Sequence, residues 1–98
     1  MKPPDHLSQD SKTFWTSTVG EYSLESHHLK ILQCALEAWD EMVEAKRIVD
    51  AEGLIFVDRF GQPRPHPAAG LVLKARESFG RLMRQLDLEG EPNPGYRR

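Results

Sequence analysis

Residues 26–52 read SHHLKILQCALEAWDEMVEAKRIVDAE, a run free of proline and glycine that is closed by Gly53. Set at about 100° per residue, Leu29, Leu32, Leu36, Trp39 and Val43 fall on one stripe spaced three and four apart. Ile31, Cys34, Ala38, Met42, Ala45 and Val49 form a second stripe roughly 140° further round. With Ala35, the two stripes leave one polar face, holding Gln33, Glu37, Asp40, Glu41 and Glu44. An apolar arc of about 200° is roughly twice what a simple surface helix carries, so this long helix is expected to touch neighbours on two sides. Either both neighbours are helices of the same chain or one belongs to another subunit. On the second reading Ile31, Ala38, Met42, Ala45 and Val49 are the oligomer interface, which suits a short chain that buries only about 60–65% of its unfolded surface alone.

On the N-terminal side, residues 1–7 read as a flexible arm because Pro3 and Pro4 precede any periodic pattern. Leu7-Ser8 then resembles a hydrophobic residue followed by an N-cap, since a serine hydroxyl accepts from a free first-turn amide. A short helix over about 9–19 follows, contributing Phe14, Trp15, Val19 and Tyr22 to packing, with Gly20 as its stop. On the C-terminal side, Leu54-Ile55-Phe56-Val57 reads as a strand. Gly61 in the tip Asp58-Arg59-Phe60-Gly61-Gln62 supplies the left-handed residue of a β-hairpin. The return strand Pro63-Arg64-Pro65-His66-Pro67 is expected to pair loosely, because its prolines lack an amide. Pro67 suits the first turn of a third helix over about 67–87. Leu71, Ala75, Phe79, Leu82 and Leu86 make its apolar stripe, and Gly70 and Gly80 are candidate points of close helix packing. The expected fold is therefore mainly α: three helices, a long central one, and a short β-hairpin between the second and third. Its organisation is an arm over 1–7, a single helical domain over 8–88, and a flexible tail over 89–98.

Composition bounds the function. The chain's 98 residues suit one small soluble domain and exclude a two-domain enzyme. No segment approaches the roughly 18–20 apolar residues of a membrane span, and MKPPDHLSQDSK lacks a signal-peptide core, which points to the cytosol and to no membrane partner. Cys34 is the only cysteine, so an internal disulfide and a cysteine zinc cage are ruled out. On an apolar stripe it reads as a packing residue rather than a nucleophile, and Trp15 and Trp39 are expected in a core or interface. No phosphate-cradling glycine motif is present. His27 and His28 point in different directions from a helix, His6 lies in the arm and His66 between prolines, so each is read as a surface or capping residue. Glu37, Asp40, Glu41 and Glu44 are read as a solvated face rather than a cation site. No catalytic residues, metal or cofactor are expected, and the chain is not expected to be an enzyme.

The net charge of −2 hides a segregation. Residues 1–58 carry five positive and eleven negative side chains, a net of −6; residues 59–86 carry six positive and one negative, a net of +5; residues 87–98 come to −1. Such an asymmetry suggests an anionic partner for the basic part. Arg59 and Arg64 flank the hairpin and Lys74, Arg81 and Arg84 line the third helix, a set that is suited to meeting DNA phosphates without reading bases.

Taken in order, the chain resembles the small subunit of bacteriophage terminases from about Leu7 to Leu88. The likeness runs through Phe14-Trp15, Glu21-Tyr22, Leu24 and His27-His28-Leu29, then Cys34-Ala35 and Glu37-Ala38-Trp39-Asp40. It continues through Gly53-Leu54, Asp58-Arg59-Phe60-Gly61 and Pro63-Arg64-Pro65-His66-Pro67, and ends on Phe79, Arg81-Leu82, Arg84 and Leu86-Asp87-Leu88. The resemblance implies a non-catalytic viral DNA-packaging protein that forms an oligomeric ring. Such a protein binds double-stranded viral DNA at packaging initiation, then delivers it to the large terminase subunit, which supplies ATPase and nuclease, and regulates that subunit. It implies a location in the cytoplasm of an infected or lysogenic bacterial host. The residues alone also fit a helical protein-interaction adaptor or a small DNA-binding regulator.

Overall fold

The structure is a computed structural model and describes residues 2–87. Leu88 and the expected tail over 89–98 lie outside the described residues. The element order is α1 (Gln9–Glu21), α2 (Ser26–Glu52), β1 (Ile55–Val57), β2 (Pro63–Pro65) and α3 (Pro67–Leu86), with the two strands forming one antiparallel hairpin. The expected helix–helix–hairpin–helix order is what the chain adopts. Its shape is less compact than a single small domain suggests. The dimensions are 60 × 22 × 22 Å and the radius of gyration is 17.1 Å, against about 13 Å for a compact chain of this length.

The rod follows from α2, whose length is about 40 Å at 1.5 Å per residue. α3 runs back along it, and α1 packs across the end remote from the hairpin. Two small cores result. The first joins all three helices through Leu7, Trp15, Leu32, Leu36 and Leu86, with Val19, Leu24, Leu29, Ile31 and Met83 around them. The second lies between α2 and α3 near the hairpin and is built from small residues, Ala45, Val49, Ala68 and Val72, with Met42, Ile48 and Ala69 at its margin.

This packing corrects several expectations. Ala38, Ala45 and Val49 of the second α2 stripe are buried within the chain, so the stripe assigned to another subunit is largely occupied by α3. Ile31 and Met42 are half-buried at the margins of the two cores. Cys34 is exposed rather than packed. On α3, the buried face is Ala68, Val72, Ala75 and Leu86, while Leu71 is 57% exposed. Gly70 has open space where a Cβ would sit, and a Cβ at Gly80 would meet only Arg84 Nη1 at 3.7 Å. Neither glycine marks a helix contact. Leu7, placed in the arm, is buried in the first core.

Caps fix the element ends. The Ser8 hydroxyl accepts from Ser11 N at 3.1 Å, as expected of an N-cap. Gly20 does not stop α1; the helix runs to Glu21, and Tyr22 caps it through N–H donation to Thr18 O at 2.9 Å. Gly53 ends α2 with φ +90, and its N–H donates to Val49 O at 2.7 Å. His66 caps α3, its Nδ1 accepting from Ala68 N at 3.0 Å and its Nε2 lying 3.0 Å from Glu52 Oε1.

The hairpin pairs Ile55 with Pro65, Phe56 with Arg64 and Val57 with Pro63. Asp58 N donates to Gln62 O at 2.9 Å and His66 N to Leu54 O at 2.7 Å, which places the hydrogen-bonded pairs at alternate positions, with Phe56 opposite Arg64 between them. Pro63 and Pro65 therefore fall where the backbone points away from β1. Their missing amides cost the ladder nothing, so the prolines do not loosen the pairing as expected.

Candidate nucleic-acid interface

The five basic residues singled out from charge do not converge. Arg59 and Arg64 sit at the hairpin end of the rod, and Arg81 and Arg84 lie on the half of α3 that packs near α1. Fourteen residues of helix, about 21 Å, separate Arg81 from the start of α3. Lys74 lies between, in a groove beside α2 that is also lined by Asp40, Glu41 and Glu44. All five are exposed, so the basic residues are spread along the rod rather than gathered in a patch.

Their local settings differ. Arg64 Nε donates to Asp58 Oδ2 at 3.1 Å, so part of its charge is already answered within the hairpin. Arg59 lies over the Phe60 ring, with Cζ 4.9 Å from the centroid, a cation–π arrangement. Arg59, Arg81 and Arg84 make no ion pair among the described residues, which leaves them free to meet phosphates.

Asp58 is the residue that shapes the hairpin tip. Its Oδ1 accepts from Phe60 N at 2.8 Å and from Gln62 N at 2.9 Å, and Gly61, at φ +77, closes the turn by donating to Asp58 O at 3.0 Å. The Gln62 amide, helped by Arg64 and the Phe60 amide, holds the Asp58 carboxyl below its ordinary value against the opposing effect of burial. A carboxylate accepting two backbone amides in a tight turn is an Asx-type device. An aspartate opening a five-residue tip was the legible signal for it.

The acidic run of α2 is not simply solvated. Asp40 Oδ1 accepts from the Ser8 and Ser11 hydroxyls, each at 2.6 Å, and Oδ2 accepts from Ser8 N at 2.8 Å. Burial pushes the Asp40 carboxyl up, but the Ser11 and Ser8 hydrogen bonds outweigh it and the net shift is downward. Glu37 Oε2 lies 2.7 Å from His6 Nε2, and Trp39 Nε1 donates to Asp10 Oδ2 at 3.1 Å. These groups clip the start of α1 to α2. Glu44 pairs with Arg47 at 2.6 Å, and that partner lowers its carboxyl pKa and raises the guanidinium's.

The histidines and tryptophans have local roles. His28 Nδ1 accepts from Glu25 N at 3.0 Å. The His27 and His28 rings do not diverge as expected; they lie 4.1 Å apart. Trp15 is 3% exposed, and its Nε1 finds no acceptor among the described residues. Trp39 rests on Phe79 of α3, with centroids 5.2 Å apart. No group of three or more His, Cys, Asp or Glu able to hold a metal occurs among the described residues. No described helix is long and apolar enough to cross a membrane.

Two grooves flank the α2–α3 pair on opposite sides, and sequence reasoning did not identify either as a surface. One carries Ile48 and the exposed Leu71 with Glu41, Glu44 and Lys74. The other carries the exposed Leu54 and Leu73 with Lys46, Asp50 and Arg76. The first is bordered mainly by carboxylates and the second has two cations to one carboxylate.

A family model described as phage terminase, small subunit, matches residues 12–91. No curated protein and no solved structure matches the chain.

Proposed function

The chain belongs to the phage terminase small-subunit family, a family of generally non-catalytic subunits acting in phage DNA packaging inside the host cell, and from that premise we propose its particular part in the process. It binds double-stranded viral DNA at packaging initiation, delivers it to the large terminase subunit, and regulates that subunit's ATPase and nuclease. It does so without catalysis of its own, in the cytoplasm of an infected or lysogenic bacterium.

The observation that carries this reading is the set of exposed cations spread along an elongated subunit. Arg59 and Arg64 at one end and Arg81 and Arg84 towards the other would track a duplex backbone, with Lys74 contributing between them. Each subunit offers few phosphate contacts, so affinity has to come from several subunits acting together. The two grooves support such an assembly. Two different apolar surfaces on opposite sides of one helix pair, one bordered by acids and one richer in cations, fit head-to-tail association, which closes into a ring when the rotation permits. Leu71 and Ile48 on one side, with Leu54 and Leu73 on the other, take the interface role first assigned to the second α2 stripe.

Light scattering combined with a salt titration of duplex binding tests the proposal. An oligomer whose DNA affinity falls steeply with salt is expected. The R81E/R84E pair should retain the assembly, weaken binding and reduce the salt slope. A monomer with no affinity at low salt would overturn the reading.

A further inference from the structure

The two edges of the hairpin are built differently. Because Leu54, Phe56 and Asp58 pair with His66, Arg64 and Gln62, the backbone groups of Ile55 and Val57 point away from β2. On the opposite edge the outward positions are Pro63 and Pro65, which have no amide to offer. One edge can thus both donate and accept, and the other can only accept. Along the open edge, Leu54 is 64% exposed, Ile55 63%, Phe56 41% and Val57 68%, and Phe60 at the tip is 73% exposed. Together they leave on the order of 500 Å² of apolar surface uncovered, divided between the two faces of the ribbon because successive strand side chains alternate.

We propose that β1 is a strand-addition edge whose occupant is the β1 of a second copy of this chain, paired antiparallel about a two-fold axis at Phe56. In this register Ile55 exchanges two backbone hydrogen bonds with Val57 of the second copy and Val57 two with its Ile55, so all the outward groups of both residues are used. The two Phe56 side chains meet as the close, non-hydrogen-bonded pair. No charge lies within residues 54–57, so the contact brings no like charges together inside the strand. The resulting sheet has the order β2, β1, β1, β2, and each outer edge is blunted by Pro63 and Pro65. Growth therefore stops at four strands, the usual protection of a sheet edge. Pairing β1 with a neighbour's β2 instead would leave the outward β1 carbonyls without donors. Pairing along two short edges covers only part of this surface, less than the roughly 1,000 Å² of a specific contact, so the pairing is weak for isolated subunits and strengthens when an assembly presents several hairpins. The tail offers a poorer cover, since residues 88–98 hold only Leu88 and Tyr96 as large apolar side chains.

This contact is independent of the groove-mediated assembly and of DNA binding. It is tested on the unaltered chain by amide hydrogen exchange at low and high protein concentration. The Ile55 and Val57 amides should slow by roughly tenfold or more at high concentration, while Phe56 and Asp58 are protected throughout. In a Cys34→Ser background, Phe56→Cys should form a disulfide-linked dimer, whereas Phe60→Cys, far from the two-fold axis, should not. Free exchange of Ile55 and Val57 at every concentration overturns the pairing, and it does so equally if the chain still assembles and binds DNA. Cross-linking equal at positions 56 and 60 overturns the register.

Discussion

Replacing Asp40 by alanine should detach the start of α1 from α2. Three hydrogen bonds of 2.6, 2.6 and 2.8 Å converge on this carboxylate, and bonds to a charged acceptor contribute about 1.5–3 kcal/mol each when isolated. The sum overstates the effect. Ser8 is exposed, so water replaces its lost partner, whereas Ser11 is only 1% exposed and its hydroxyl would be left without its carboxylate partner. That burial penalty is about 1–3 kcal/mol. Alanine returns roughly 0.5 kcal/mol through its higher helix propensity at a mid-helix site. The expected net loss is about 2–3 kcal/mol, a large part of the ~5–15 kcal/mol that holds a domain together. With a urea slope of about 1–3 kcal/mol per molar, the midpoint should fall by roughly 0.7–3 M. The effect has a pH signature. The folded Asp40 carboxyl lies below the ordinary aspartate value of 3.8. Its stabilisation is therefore fully present above that value and disappears as pH falls through the lower folded value. The gap between the parent chain and Asp40→Ala should be constant near neutrality and narrow below pH 3.8. A double-mutant cycle with Ser11→Ala isolates the shared bond and should show coupling of about 1 kcal/mol or more. Strict additivity, or a gap that does not narrow in acid, would refute the clip.

Gly70→Ala places a methyl in open space on an exposed helical turn and should stabilise the chain by up to about 1 kcal/mol, read as a higher thermal midpoint at unchanged oligomeric state. Ala68→Leu inserts volume where α2 and α3 meet through small side chains; a loss of about 1–3 kcal/mol in chemical unfolding is expected. Asp58→Ala removes both carboxylate-to-amide bonds of the hairpin tip, so the Phe60 and Gln62 amides should exchange faster while the α2 amides are unaffected. Because the Asp58 carboxyl is held below 3.8 in the folded chain, acidification below that value should reproduce the same loosening in the parent protein.

Local signals determined much of the architecture. The uninterrupted run from Ser26 to Glu52, the Ser8 and Gly53 ends, the Gly61 turn and Pro67 at the head of α3 each act through backbone geometry or an adjacent amide, so they were legible without a tertiary partner. The family resemblance was legible in the same way, from residues in order, and the match over residues 12–91 agrees with it. Of the site, the identities of the basic residues were visible, but not that Arg64 already answers Asp58 or that Lys74 stands beside carboxylates.

Which surfaces are spent inside the chain is set by how the helices pack. A helix with two apolar stripes satisfies the same periodicity whether its neighbours are its own or a partner's. Periodicity fixes the angle of a side chain about its axis and leaves open what lies opposite. α3 fills much of the second stripe by folding back onto Ala45 and Val49 through Ala68 and Val72. The unspent apolar surface then fell to the flanks of the helix pair and to β1. There Pro63 and Pro65 read as weak pairing only until the register placed them on the outer edge, where a missing amide protects a sheet instead of breaking it.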